Sequence, residues 1–376
     1  MEIRDAWVEI DRRKLEHNFL EVRHAVGSDV KICAVLKAQC YGMSGPMVAG
    51  VLAELGADAF AVAVLSEAVE VRSVVPNHEI LVLGYVSEAG YDCALDHRLS
   101  LTMYQEDALR SFTARAAARG EQARVHIKVN SGMNRLGFSP TEESADVVAA
   151  CMALPHLSIR GIFTHLAAAD EADSASVSMQ VARFDGFLQM LRDRGVSLPT
   201  VHIAASPTVC RFPELDRDMV RPGLLLTGYY TSEHVSRQRI HLLPCVKVKA
   251  RLGNILSIQS GEGVSYGFTY RAPRDMLIGL LPIGFSDGLT RMFSNRFYVT
   301  IRGYRCPVIG SICMDHCMID LSEVPHPQIG EEIVVYGDGI VGNDGAMNIE
   351  EVAQLRGTIV DEVLTNLAAR LPRRLV

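Results

Sequence analysis

The chain has 376 residues, 48% of them hydrophobic, and a formal net charge of -7. That length and apolar content suffice for one large barrel plus a smaller domain, and they exclude a disordered chain. Acids and bases are interspersed, with no Lys/Arg block long enough to follow a phosphate backbone, so nucleic acid is not an expected partner.

No run approaches about 20 uninterrupted apolar residues, and the start Met1-Glu2-Ile3-Arg4-Asp5 lacks the apolar core of a signal peptide. The expected location is the cytoplasm, without a membrane partner. Nine cysteines, an odd number without paired metal spacing, fit reduced thiols rather than a disulfide framework. Cys313 and Cys317 are the closest pair, but with no His or second pair at ligand distance they make a weak zinc signal, and no metal is expected.

From residue 30 to residue 226, β-branched or apolar runs alternate with amphipathic segments, the pattern of a parallel sheet. The runs centre on residues 32–36, 59–64, 80–84, 99–103, 125–129, 159–164, 201–204 and 219–225. Helices are expected over 47–55, 67–74, 106–119, 143–154 and 177–194, with Gly56, Gly120 and Gly195 where helices stop. About eight strand-helix units in some 200 residues match a (β/α)8 TIM-like barrel. A doubly wound sheet is the second choice, but no Gly-x-Gly-x-x-Gly follows the first strand. After residue 238 the rhythm changes to consecutive strands, at 246–252, 276–281, 297–302, 307–313 and 332–336, ending in a helical tail over 349–371. The expected domains are therefore 1–238, the barrel with an N-terminal strand, and 239–376, a mainly-β domain with terminal helices.

Lys37 ends the first apolar run, Ile32-Cys33-Ala34-Val35-Leu36, and precedes a polar turn marked by Tyr41-Gly42. A lysine there either snorkels out to water or forms a covalent bond that spares its ammonium from burial, as in a Schiff base with pyridoxal phosphate. Other polar residues occupy equivalent places. Lys128 and Arg135 bracket the end of the fifth strand, His165 ends the sixth, His202 lies in the seventh and Arg221 in the eighth. Barrel enzymes place their chemistry at these ends. A strand histidine alone is more often a hydrogen-bonded core residue than a catalyst, so the shared placement carries the argument. Arg135 in the turn Ser131-Gly132-Met133-Asn134-Arg135-Leu136-Gly137 could grip a carboxylate, and Ser206 with Gly223 could face a phosphate.

Six segments in order make the chain resemble the alanine racemase family of pyridoxal phosphate enzymes. They are Ala34-Val35-Leu36-Lys37-Ala38 with Tyr41-Gly42; Met133-Asn134-Arg135-Leu136-Gly137; Val220-Arg221-Pro222-Gly223; Val264-Ser265-Tyr266-Gly267; Pro282-Ile283-Gly284 with Asp287-Gly288; and Ile312-Cys313-Met314-Asp315. The resemblance implies a cytoplasmic homodimer that racemises a small amino acid, typically alanine for D-alanine biosynthesis. It implies that Lys37 carries the cofactor, that Tyr41, Ser206, Gly223 and Leu224 hold its phosphate, and that Arg221 faces the ring nitrogen with His202 behind it. Lys37 and Tyr266 would be the two proton-transfer groups. A phenol is a weak base at neutral pH, so Tyr266 needs cationic or hydrogen-bonding partners such as His165. Arg135 would position the substrate beside Lys128, either carbamylated or as the free amine, and Tyr266 and Met314 would come from the second subunit.

The chain departs from the family's Lys-Ala-Asn-Ala-Tyr-Gly-His-Gly at Gln39, Cys40 and Met43, and has Ser44 before Gly45. Phe285-Ser286-Asp287-Gly288 replaces Tyr-Ala-Asp-Gly, and Ala205 replaces an asparagine. Asp361 stands before Glu362 where the family commonly has a tyrosine that lines the substrate pocket. Asp361 would favour serine alongside alanine through a hydrogen bond, or meet a cationic side chain, or turn away to solvent. Rival readings are a barrel-type decarboxylase, in which Arg135 and the Lys37/Tyr266 pair are hard to explain, and a non-catalytic pyridoxal phosphate-binding protein.

Overall fold

A computed structural model describes residues 4–337 and 345–376. The chain divides into two compact units, one of Glu16–Cys40 with Gly45–Leu242, the other of Met1–Leu15, Tyr41–Ser44 and Leu243–Val376. The first strand, β1 (Ala6–Ile10), pairs antiparallel with β10 (Val246–Arg251) and parallel with β19 (Arg373–Leu375). It therefore belongs to the sheet of the second unit, not to the barrel with which it was expected. Its buried Ala6, Trp7, Val8 and Ile10 make it a sheet-core strand.

The first unit is a parallel barrel of eight strands. They are β2 (Lys31–Val35), β3 (Ala59–Val62), β4 (Glu79–Val82), β5 (Ser100–Met103), β6 (Ala123–Lys128), β7 (Leu157–Phe163), β8 (Thr200–His202) and β9 (Met219–Val220). Their order β8-β7-β6-β5-β4-β3-β2-β9 is closed by a parallel bridge between Ala205 and Arg221. All eight expected strands are present. The last is shorter than expected: it ends at Val220, and Leu224–Thr227 forms a helical turn where the apolar run suggested more strand. The Arg221-Pro222-Gly223 segment breaks the extension, because proline removes a ladder donor. The five expected helices appear within a few residues of their reading, at Gly45–Glu54, Leu65–Arg72, Glu106–Ala118, Glu142–Met152 and Ala175–Asp193.

Strand alternation sends every second residue inward. Cys33, Val35, Ala59, Ala61, Leu81 and Met219 form one apolar cluster there. Between β6 and β7 the register slips, so that Val125 faces Ile159 but His126 faces Gly161. Arg160 is the extra residue of this bulge.

The second unit holds a nine-stranded sheet ordered β11-β14-β17-β16-β15-β18-β10-β1-β19, with β11 (Asn254–Ile258), β14 (Met276–Leu281), β15 (Tyr298–Ile301), β16 (Tyr304–Ile309), β17 (Cys317–Asp320) and β18 (Glu332–Tyr336). A small ladder joins β12 (Gly263–Val264) to β13 (Tyr270–Arg271). The expected helical tail is two short helices, Ile349–Arg356 and Val360–Thr365, because Gly357 at φ 70° stops the first.

Candidate active site

The barrel unit gathers most of the expected residues at the C-terminal ends of its strands. Arg221 is buried, and its guanidinium is held by three acceptors: Nη1 donates to His202 Nδ1 at 2.9 Å, and Nη2 donates to the carbonyls of Thr164 at 2.8 Å and Ile203 at 3.0 Å. His165 Nδ1 lies 3.5 Å from Nη2, at the edge of hydrogen bonding. Arg221 Nε has no protein acceptor among the described residues. Burial pulls the guanidinium down to about 10, so it remains a cation at neutral pH. His202, fully buried, stacks on Phe163 at 4.7 Å and 12°.

The neighbours respond to this fixed charge. Burial, then Arg221 and Arg135, push the Lys128 ammonium down to about 7. Its Nζ sits 4.4 Å over the Phe163 ring, with no carboxylate partner among the described residues. His165 falls well below the ordinary histidine value through burial and the charges of Arg221, Lys128, Arg135 and Lys37. It is therefore neutral, and of the two roles expected for it, cation or hydrogen-bonding partner, only the second remains.

Arg135 is exposed on a turn built by Asn130, whose Oδ1 accepts from the amides of Gly132 at 3.2 Å and Asn134 at 2.9 Å. Gly137 is required there: its φ is 138°, and a Cβ would come 2.2 Å from the Asn130 nitrogen. Arg135 meets no carboxylate among the described residues, leaving its fork available for an external one.

Ser206 and Gly223 meet directly, the Gly223 amide donating to Ser206 Oγ at 3.0 Å. The next amide, Leu224, is buried and has no acceptor among the described residues. A buried orphan N–H beside a hydroxyl suits a phosphate oxygen. A ring nitrogen accepting from Arg221 Nε and a phosphate on Ser206 and Leu224 would thus satisfy donors that the protein leaves open, so these residues fit the expected cofactor.

Lys37 is exposed, not held in an apolar pocket. After it, Ala38, Gln39, Cys40 and Tyr41 all take left-handed conformations, at φ 51°, 55°, 52° and 52°. Such a turn costs L-residues roughly 1–2 kcal/mol each. Gln39 helps to hold it, donating from Nε2 to Glu70 Oε2 at 2.7 Å and accepting at Oε1 from the Gly45 amide at 3.3 Å.

The remaining candidates belong to the second unit. Tyr41 is buried, and Asp361 is half-buried in the helix Val360–Thr365. Tyr266 and Met314 are 72% and 56% exposed, unusual for such side chains. Their backbones are nonetheless fixed. Ser311 Oγ donates to the Tyr266 carbonyl at 2.9 Å, and the Ser286 amide donates to the Met314 carbonyl at 3.0 Å. Buried Asp287 accepts from Arg370 Nε at 2.7 Å, and the same guanidinium reaches Asp315 at 2.7 Å, joining the turns on either side of Met314.

Sequence reasoning missed Glu79, Ser100, His126, Gly161 and Thr164, all of which touch this cluster or its supports. A signal existed for one of them: His126 stands two residues before Lys128 in β6, and so shares its inward face.

Comparisons with known proteins agree over the full length. The chain matches the alanine racemase N-terminal domain over residues 10–231 and the alanine racemase C-terminal domain over residues 245–375. It is 38% identical over 367 residues to an alanine racemase of Desulforamulus reducens, spanning 98% of both chains. Alanine racemase 1 of Clostridium acetobutylicum is 36% identical over 371 residues, 99% of this chain and 95% of its own. Among solved structures, an alanine racemase of Clostridium difficile matches with a TM-score of 0.93 at 32% identity, over 98% of this chain and 94% of that one. One from a D-cycloserine-producing Streptomyces lavendulae gives 0.91 at 28% identity, over 100% and 98%.

Proposed function

Since the chain belongs to the alanine racemase family of isomerases, we propose that it interconverts L- and D-alanine with pyridoxal phosphate attached at Lys37. The observation that carries this is the Arg221 cluster: a buried, fully oriented cation with one donor left open, beside a phosphate-shaped pair of Ser206 hydroxyl and Leu224 amide.

The bound cofactor supplies an electron-withdrawing ring that acidifies the Cα–H of an attached amino acid. The chain does the rest. Arg135 grips the substrate carboxylate, and Lys37 and Tyr266 move protons on opposite faces of Cα. Arg221, which remains a donor at neutral pH, keeps the ring nitrogen unprotonated. That limits electron withdrawal and favours return of the proton to Cα over transamination. Neutral His165 serves as a hydrogen-bonding partner rather than a second cation. Lys128 suits carbamylation, because an amine that titrates near 7 is about half in its nucleophilic neutral form at neutral pH, and the resulting anion would sit beside Arg135 and Arg221.

A homodimer is part of this reading, with Tyr266 and Met314 of one copy completing the site of the other. Their exposure, with that of Phe268 at 59% and Phe285 at 41%, supports an interface. Cytoplasmic residence is likewise proposed; no helix among the described residues is long and apolar enough to cross a membrane.

A second reading, alanine/serine racemisation, is favoured by Asp361, which is half-buried rather than turned fully to solvent. Steady-state kcat/KM for alanine, serine and lysine tests both. Asp361→Tyr is expected to lower the serine-to-alanine ratio, and an unchanged ratio removes Asp361 from the account of specificity.

A further inference from the structure

Arg221 is the upper end of a polar file that runs down through the barrel. His202 Nε2 lies 2.9 Å from His126 Nδ1, and His126 Nε2 lies 3.1 Å from Glu79 Oε1 at the start of β4. Ser100 Oγ donates to the same carboxylate oxygen at 2.8 Å, and Arg160 Nε stands 3.7 Å away. The outer end opens into a cavity of about 350 Å³ lined by Lys31, Asp58, Asn77, Glu79 and Arg160.

The file has one consistent proton arrangement. A guanidinium only donates, so His202 Nδ1 accepts and its proton sits on Nε2. That proton points at His126 Nδ1, which must accept, so the His126 proton sits on Nε2 and is donated to Glu79. Glu79 is the acceptor at which the chain of donors ends. Burial would raise its carboxyl, but the bonds from His126 and Ser100 prevail and bring it down to about 2, keeping it an acceptor. The fold makes room for the middle link: at Gly161 a Cβ would lie 2.3 Å from His126 Nδ1 and 3.0 Å from His202 Nε2.

We propose that Glu79 is a positioning residue for the reaction: by accepting the last proton of the file it anchors His126 and His202 in the single arrangement that holds the Arg221 guanidinium in place toward the cofactor ring. The proposal rests on the reading of Arg221 given above only for its effect on turnover, since the tautomers belong to the protein.

The test uses holoenzyme labelled with 15N-histidine, in which long-range proton–nitrogen correlations identify the protonated nitrogen of each ring. Both His126 and His202 are expected as Nε2–H. A proton on Nδ1 of either ring in the unmutated protein overturns the proposal without any variant. Glu79→Leu strands the His126 Nε2 proton without an acceptor, so His126 is expected to sample the Nδ1–H form at the expense of its bond to His202. The substitution should lower kcat for alanine about tenfold, on the scale seen when groups orienting functional histidines are lost, with KM little changed. The visible absorbance of the bound cofactor should change as well. Glu79→Gln, which can still accept, should recover most of that loss. Gly161→Ala, which leaves Glu79 in place but drives a methyl between the two rings, should lower kcat similarly. Unaltered tautomers, absorbance and kcat in folded Glu79→Leu would refute the role. Failure of the alanine assay in the unmutated enzyme would count against the proposed activity, while the tautomer pattern would still decide the file.

Discussion

The two walls of the barrel are equally buried and chemically opposite. Strands β2, β3 and β4 turn small apolar residues inward, Cys33, Val35, Ala59, Ala61 and Leu81, all between 0% and 7% exposed. Strands β6 to β8 and the end of β9 bring His126, Lys128, Phe163, His202 and Arg221 to the same interior, all between 0% and 5% exposed. Burial alone therefore does not separate packing from function here; the partners of each buried group do. Arg221 has acceptors for both Nη atoms and keeps its charge, whereas Lys128 rests on a ring face and is pushed to about 7 by burial and the charges of Arg221 and Arg135. Cys33 stands on the apolar wall within reach of Arg221, but burial dominates and drives its thiol up to about 12, leaving it unreactive.

Variants on the two walls sharpen the contrast. The largest effect belongs to the mouth of the barrel, just past the end of β2: Lys37→Ala should lower kcat for alanine by roughly 10³-fold or more while the urea midpoint stays put. Arg221→Leu removes the fixed donor and should lower kcat by about 10²–10³-fold, with a changed absorbance of the bound cofactor. On the apolar wall the loss moves from rate to stability. Leu81→Ala should cost about 2–5 kcal/mol in urea unfolding, with kcat per folded enzyme within about twofold of the parent. Equal rate losses from Leu81→Ala and Arg221→Leu would erase the distinction.

The smallest and most specific effect concerns pH. Folded Lys128 releases its proton near 7, against 10.5 for an ordinary lysine. Between those values the unfolded chain binds more protons, so this group makes stability rise with pH across the window. In carbonate-free buffer, Lys128→Met should therefore gain most over the parent below 7, and lose that advantage as pH approaches 10.5. Bicarbonate should stabilise the parent and leave the variant unaffected if Lys128 is carbamylated. Parallel stability–pH curves for the two proteins would contradict the assigned burial.

Much of this was legible in the sequence, because the barrel repeats one pattern eight times. Apolar runs such as residues 32–36 declare themselves, and a polar residue at the end of such a run is conspicuous. What escaped reading has physical reasons. Strand β11 is largely exposed and shows no apolar alternation, and β9 keeps two residues of ladder before Pro222. The left-handed turn after Lys37 is made by Ala38 to Tyr41, none of them glycine, so nothing local announces it. Glu79 falls just outside the strand expected at 80–84 and carries no local signal, since its role depends on His126, a partner 47 residues away. Tyr266, Met314 and Asp361 became candidates through family resemblance alone; their segments carry no periodic signal that marks them.

The most direct test of the proposed activity is to incubate the purified protein with pyridoxal phosphate and L-alanine in deuterated water, following Cα deuterium and chirality together. The account predicts D-alanine carrying deuterium at Cα, with exchange and inversion both lost in Lys37→Ala. Cofactor binding without Cα exchange for alanine or serine would contradict it and leave a pyridoxal phosphate-binding protein on a racemase fold.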